Sequence, residues 1–133
     1  MILHINDSRM LREIQLDFSR FYPYLRIEFY KNEAPVKELL NDEMKIDPYV
    51  KAGSVRNKHH SGSINIFPNT TIINMKKWML DEFNLYVQIF HYTFNGWECV
   101  TDTEDCTLDE LNEKGRHTFH ELHNVSAQVK NLF

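Results

Sequence analysis

The chain has 133 residues, 42% hydrophobic and 26% charged, which suits one globular domain with a real core but does not comfortably hold two. A net charge of −4 excludes the summed positive field that non-specific phosphate binding needs, so any basic site would have to be local. Two cysteines, Cys99 and Cys106, with no CxxC pair, exclude a disulfide framework and are expected as reduced thiols in a cytoplasmic protein.

Met1 to Asp7 turns polar too soon for a signal peptide, and no apolar run approaches the ~20 residues of a membrane span. Ile2 to Ile5 reads as a short strand, after which Asp7 or Ser8 is placed to cap a helix. Met10, Leu11, Ile14, Phe18 and Phe21 follow at helical spacing, and Pro23 ends that helix by disfavouring the α conformation at Tyr22. Leu25 to Tyr30 alternates, with Leu25, Ile27 and Phe29 on one side and Arg26, Glu28 and Tyr30 on the other. Between Glu33 and Met44 a short helix opened by Pro35 is expected, with Val36, Leu39, Leu40 and Met44 as its stripe. The polar run Arg56 to Ser63, part of a 53–63 loop, reads as exposed and as the most mobile part of the chain.

A third strand is expected from Ser63 to Phe67. Thr71 then caps a helix from Ile72 to Phe83 with Ile72, Met75, Met79 and Phe83 inward, and Asn84 suits the left-handed residue past its end. Leu85 to Thr101 reads as a hairpin turning at Asn95-Gly96 through a two-residue type I′ loop. That register sets Phe94 opposite Trp97 and Tyr92 opposite Cys99. It lines Tyr86, Phe90, Tyr92, Phe94 and Trp97 along one face, and Leu85, Val87, Ile89 and Val100 along the other. Thr107 to Glu110 is a capping box whose helix stops at Gly115, and a second box, Thr118 to Glu121, opens a terminal helix with Phe119, Leu122, Val125, Val129 and Phe133 on one side. The expected organisation is one α+β domain over 1–115 and a helical extension over 116–133.

Leu25 to Tyr30 matches Leu85 to Phe90 at an offset of about sixty residues, each preceded by a helix with an aromatic tip and a short strand. Two such β-α-β units predict a ferredoxin-like split βαβ sandwich carrying an extra hairpin strand and C-terminal helices. The segments Pro23-Tyr-Leu-Arg-Ile-Glu-Phe29, Phe83-Asn-Leu-Tyr-Val-Gln-Ile-Phe90 and Thr107-Leu-Asp-Glu-Leu-Asn-Glu-Lys-Gly115 follow one another in an order that resembles a family of small uncharacterised bacterial proteins with two βαβ-like units. The resemblance implies that fold and no activity.

Chemistry is sparse. His117, His120 and His123 lie at i, i+3, i+6, which offers two-point contact to a metal rather than a built site, and His59-His60 point apart in an extended loop. His91 reads as a packed histidine. There is no GxSxG elbow, P-loop, dinucleotide glycine pattern or EF-hand, and Cys106 is crowded by Glu104, Asp105, Asp109 and Glu110, which disfavours a thiolate. Neither Ile2 to Ile5 nor Ser63 to Phe67 matches the stacking-aromatic signature of RNA-recognition domains of similar topology, the aromatics lying instead on the last hairpin, and this, with the charge, argues against nucleic acid.

The sharper feature is the aromatic hairpin face, which at several hundred Å² represents several kcal/mol of burial (~25 cal/mol per Å²) and calls for a cover: the terminal helix, a second copy, or a partner. The expectation is a non-enzymatic protein-interaction or accessory module without cofactor or metal, binding a partner or itself through Tyr86, Phe90, Tyr92, Phe94 and Trp97, with Arg56, Lys58, His59 and His60 at the rim. The competing class is a small-ligand protein or enzyme with a pocket near the 53–63 loop using His59, His60 or His91.

Overall fold

The computed structural model describes residues 1–31 and 42–131, with side chains for 1–31 and 43–124. The elements are β1 (Ile2–Ile5), α1 (Leu11–Phe21), β2 (Leu25–Tyr30), β3 (Gly62–Asn65), α2 (Ile72–Phe83), β4 (Tyr86–Thr93), β5 (Gly96–Cys99) and α3 (Leu108–Asn131), with single 3₁₀ turns at Asp42–Met44 and Ala52–Ser54. The helix expected over Glu33 to Met44 falls mostly outside the described residues.

The class is α+β, but the strands do not form the single sheet of a ferredoxin-like sandwich. β1 pairs with β3, antiparallel, and a separate antiparallel sheet runs β2-β4-β5. In a split βαβ sheet the second and fourth strands are opposite edges; here they are neighbours, paired over six positions from Leu25↔His91 to Tyr30↔Tyr86. The inward rows of the two strands explain the preference. Leu25, Ile27 and Phe29 meet Ile89 and Val87 across the pair, forming one continuous apolar strip that a position at opposite edges would divide.

That strip is the floor of the core. Leu3, Ile5, Ile64 and Ile66 come to it from the small sheet, Leu11, Ile14 and Phe18 from α1, Ile72, Met75, Met79 and Phe83 from α2, and Leu108 and Leu111 from α3. Phe21, expected in the stripe of α1, is 54% exposed, and Tyr22 is buried in its place. Leaving the helix at Phe21 turns the chain enough to swap the two rings between solvent and core.

Helix ends are tied to loops as much as to their own caps. Met10 rather than Asp7 or Ser8 is the N-cap of α1. Its N–H is accepted by Glu13 at 3.2 Å, while Leu11 and Arg12 donate their N–H groups to the carbonyls of Val50 and Pro48. Asn6 instead holds the preceding turn by accepting from the N–H groups of Ser8 and Arg9. Thr71 caps α2 as the sequence indicates, and Asn84 closes it in the left-handed conformation at φ 54°.

Thr107 and Glu110 form the expected capping box at the start of α3. That helix then runs unbroken through Gly115. A Cβ at Gly115 would lie 2.7 Å from Cβ of Tyr24, so the glycine is there to let α3 press against the β2 entry and does not stop a helix. Thr118, expected to open a second helix, donates its hydroxyl to the Lys114 carbonyl one turn back. The side chains of Val125, Val129 and Phe133 lie outside the described ones.

The hairpin reverses at Phe94-Asn95, one residue earlier than the sequence suggests, and pairs Thr93 with Gly96 and Tyr92 with Trp97. Only Gly96 has positive φ, 96°, so the loop is not type I′ but a turn relieved by a glycine behind it, as in type I turns with a G1 bulge. Thr93 Oγ1 secures it, accepting from the Asn95 N–H and donating to the Gly96 carbonyl. Moving the loop by one residue moves the cross-strand pairing by two, so the paired residues keep their expected faces while Phe94 passes into the turn.

Candidate functional site

Two places collect polar or aromatic side chains outside the core. The first is the outer face of the β2-β4-β5 sheet. Pairing β2 with β4 puts Arg26 beside Phe90, Glu28 beside Gln88 and Tyr30 beside Tyr86, and the hairpin adds Trp97 beside Tyr92. Of the five predicted face residues, Tyr86, Phe90, Tyr92 and Trp97 belong to this surface. Phe94 does not, since it sits in the turn and is 63% exposed.

The face is covered unevenly. At one end Tyr30 is buried, and Met44, Tyr86 and Cys99 pack against it, because residues 44–46 bond to the outer edge of β2 through Lys31 N–H to Met44 carbonyl and Ile46 N–H to Phe29 carbonyl. Lys45 stands 5.7 Å over the Phe90 ring and pairs with Glu28 at 3.6 Å. At the other end α3 supplies one ring, Phe119, 5.8 Å from Tyr92 and 5.6 Å from Tyr24. Trp97 is packed edge-on to Tyr92 at 5.5 Å, and the Arg26 guanidinium lies over its ring at 3.9 Å.

Beside Trp97 a groove of about 420 Å³ runs between the sheet and α1, lined by Arg12, Gln15, Ser19, Arg26 and Glu28 among others. Side chains of α1 seal the free edge of β2 there: Gln15 donates to the Ile27 carbonyl and to Glu28, both at 3.0 Å, and Ser19 donates to the Leu25 carbonyl.

The second place is the 53–63 loop, where residues 57–63 are exposed as expected but Arg56 is buried, which corrects its assignment to the exposed rim. The Arg56 side chain is 0% exposed. Its Nε and Nη2 donate to Asp7 Oδ1 at 3.0 and 2.7 Å, and Nη1 donates to the carbonyls of His60 and Phe83 at 2.8 and 3.1 Å. A buried guanidinium is tolerable only when bonded this fully. Asp7 also takes His59 Nδ1 at 2.8 Å, and His60 stacks on Phe83. Partial burial pushes the Asp7 pKa up, but Arg56 and His59 outweigh it and hold the carboxyl below the usual value. Lys58 is exposed.

This loop is no rim to Trp97. Val55 and Asn57 border the Tyr30 and Tyr86 end of the sheet, around a hollow of about 220 Å³ that His59, His60 and His91 do not line. Tyr92 lies six residues further along β4, roughly 20 Å away at strand rise.

The remaining chemistry is muted. Burial raises the Cys99 thiol; burial, then Asp105 and Glu110, raise Cys106. The Tyr22 hydroxyl is buried beside Asp109 without a well-formed hydrogen bond, and its pKa is raised, first by burial and then by that carboxylate. Among the described residues no cluster of three His, Cys, Asp or Glu side chains could hold a metal ion, and no helix is long and apolar enough to cross a membrane. Comparison with protein-family models, with curated proteins and with solved structures finds no match.

Arg12 and Arg26 were missed by sequence reasoning. The outward position of Arg26 was legible in the alternation of β2, but a ferredoxin-like order kept β2 away from the hairpin and so hid its meeting with Trp97.

Proposed function

We propose that this chain is a non-enzymatic cytoplasmic protein-interaction module whose contact surface is the hairpin end of the outer sheet face: Phe90, Tyr92 and Trp97 with Arg26. The observation that carries the reading is the cluster in which Arg26 lies over Trp97 and Trp97 packs edge-on to Tyr92. It concentrates on a rigid sheet the three residue types that dominate binding energy at protein interfaces. The charge of the face favours a different protein over a second copy, since Lys45 is already paired with Glu28 while Arg26 pairs with no carboxylate among the described residues and is open to one that a partner brings.

The test is a photo-crosslinking amino acid placed at Tyr92 in cells, with one at Lys77 on the exposed side of α2 as control. A discrete adduct with another protein from the Tyr92 position alone is the expected result. An adduct of the chain with itself would replace the partner by a homodimer, and equal labelling from both positions would refute the surface altogether.

A further inference from the structure

The chain has six arginines, and all lie among the described residues. Four have carboxylate partners: Arg9 with Asp17 and Glu13, Arg20 with Asp17, Arg56 with Asp7, and Arg116 with Glu113. The other two, Arg12 and Arg26, pair with no carboxylate among the described residues, and both line the groove beside Trp97. In a chain with 19 acidic against 15 basic residues, two unmatched arginines in one groove are not explained by a shortage of carboxylates. Glu28, which lines the same groove, is engaged by Lys45 and Gln15.

Resting on the interaction reading above, we propose that this groove receives an acidic, carboxylate-bearing segment of the partner protein, gripped by Arg26 and Arg12. Arg26 is built for the task. Its guanidinium carbon lies 3.9 Å from the indole centroid, which positions the fork over Trp97 while it makes no ion pair with a carboxylate among the described residues. Arg12 gives one hydrogen bond, to Gln15 Oε1 at 3.3 Å, and keeps its other donors.

The shape suits an extended chain rather than a compact anion. Arg12, Gln15 and Glu28 also line a second hollow of about 470 Å³, which continues the groove toward Lys45 and Pro48. Leu16, 38% exposed, adds an apolar wall for a side chain between the acidic ones.

The experiment titrates the full-length, isotope-labelled chain with hexaglutamate, hexaglutamine and inorganic phosphate, following the Trp97 indole N–H and the arginine Nε–H signals by NMR. Hexaglutamate is expected to shift Trp97, Arg12 and Arg26 with a dissociation constant below about 1 mM. Hexaglutamine is expected to leave them in place, and added salt to weaken binding. Arg26→Gln and Arg26→Lys should each lose about tenfold or more, since lysine restores the charge but not the fork. Arg26 is exposed, so both variants should keep the wild-type spectrum elsewhere.

Equal binding of hexaglutamine, unchanged affinity in Arg26→Gln, or saturation of the groove by phosphate without hexaglutamate binding would each overturn the proposal. The Tyr92 crosslink separates the two levels. An adduct that survives the Arg12→Gln, Arg26→Gln double variant keeps the interaction surface and removes the acidic segment. Loss of any adduct in the wild type removes the surface itself.

Discussion

Replacing Arg56 with methionine separates a buried keystone from an exposed loop cation. Methionine keeps much of the stem's volume and removes all four donated hydrogen bonds. Asp7, whose side chain is 41% exposed, can turn to water when its partner goes. The carbonyl of Phe83 cannot, because its bond to Nη1 is buried, and the carbonyl of His60 is half enclosed. A buried acceptor left without a donor costs about 1–3 kcal/mol and a partly solvated one nearer 1. Some of this is offset because the variant no longer desolvates a guanidinium.

The expected loss is roughly 2–3 kcal/mol, a large share of a domain's usual ~5–15 kcal/mol. With a urea m-value of about 1.5–2 kcal/mol/M, the midpoint should fall by roughly 1–2 M. Lys58→Met, two residues on and exposed, is the internal control and should stay within about 0.5 kcal/mol of wild type. Urea titrations followed by circular dichroism decide the matter. An Arg56→Met midpoint indistinguishable from that of Lys58→Met would refute the keystone, because it would mean the four bonds contribute nothing net.

Gly115→Ala should destabilise despite its site in the middle of α3: alanine gains about 1 kcal/mol of helix propensity, but its Cβ would meet Tyr24 at 2.7 Å, an overlap worth about 1–3 kcal/mol. A melting temperature above wild type would show that Tyr24 yields freely and that the close approach is incidental. His91 is held neutral, its pKa lowered first by burial and then by Lys114 against the opposing pull of Glu98. A histidine with a depressed folded pKa contributes stability that is present above its unfolded value, near 6.5, and is lost as pH falls toward the folded one. His91→Gln should therefore flatten the decline in melting temperature between pH 7.5 and 5.5, and an unchanged decline would assign the pH dependence elsewhere.

What could be read from the sequence, and what could not, follows the range of the interactions involved. Thr71, Asn84 and the Thr107–Glu110 box were legible because each is decided within four residues by backbone geometry and a side chain of the right length. The faces of the hairpin were legible for a subtler reason. Asn95-Gly96 marks the reversal but does not fix which residues occupy it, and a slip of one in the loop is a slip of two in the ladder, so Tyr92 and Trp97 stay together either way. Arg56 was illegible because its carboxylate partner lies 49 residues away and nothing beside it in sequence signals burial. Gly115 misled for a related reason: a glycine after a capped turn reads as a helix end, and only the distant Tyr24 gives it a different purpose.

The pairing of β2 with β4 connects these local successes to the candidate site. Sequence supplied two similar β-α-β units, and the commonest way to join such units puts their second strands far apart. Both strands here carry unusually continuous inward rows, so pairing them directly gives the core a larger floor, with the β1-β3 ribbon and the three helices closing over it. The same pairing has a consequence on the opposite side of the sheet. It sets the outward residues of β2, chiefly Arg26 and Glu28, beside the aromatic row of β4 and within reach of β5. An aromatic surface alone would be a liability in water, and lysine and arginine stems laid across it lower that cost while keeping charge at the rim. The choice that optimises the core therefore also creates a cation-bearing aromatic face, and a rearrangement restoring a ferredoxin-like strand order would lose both together.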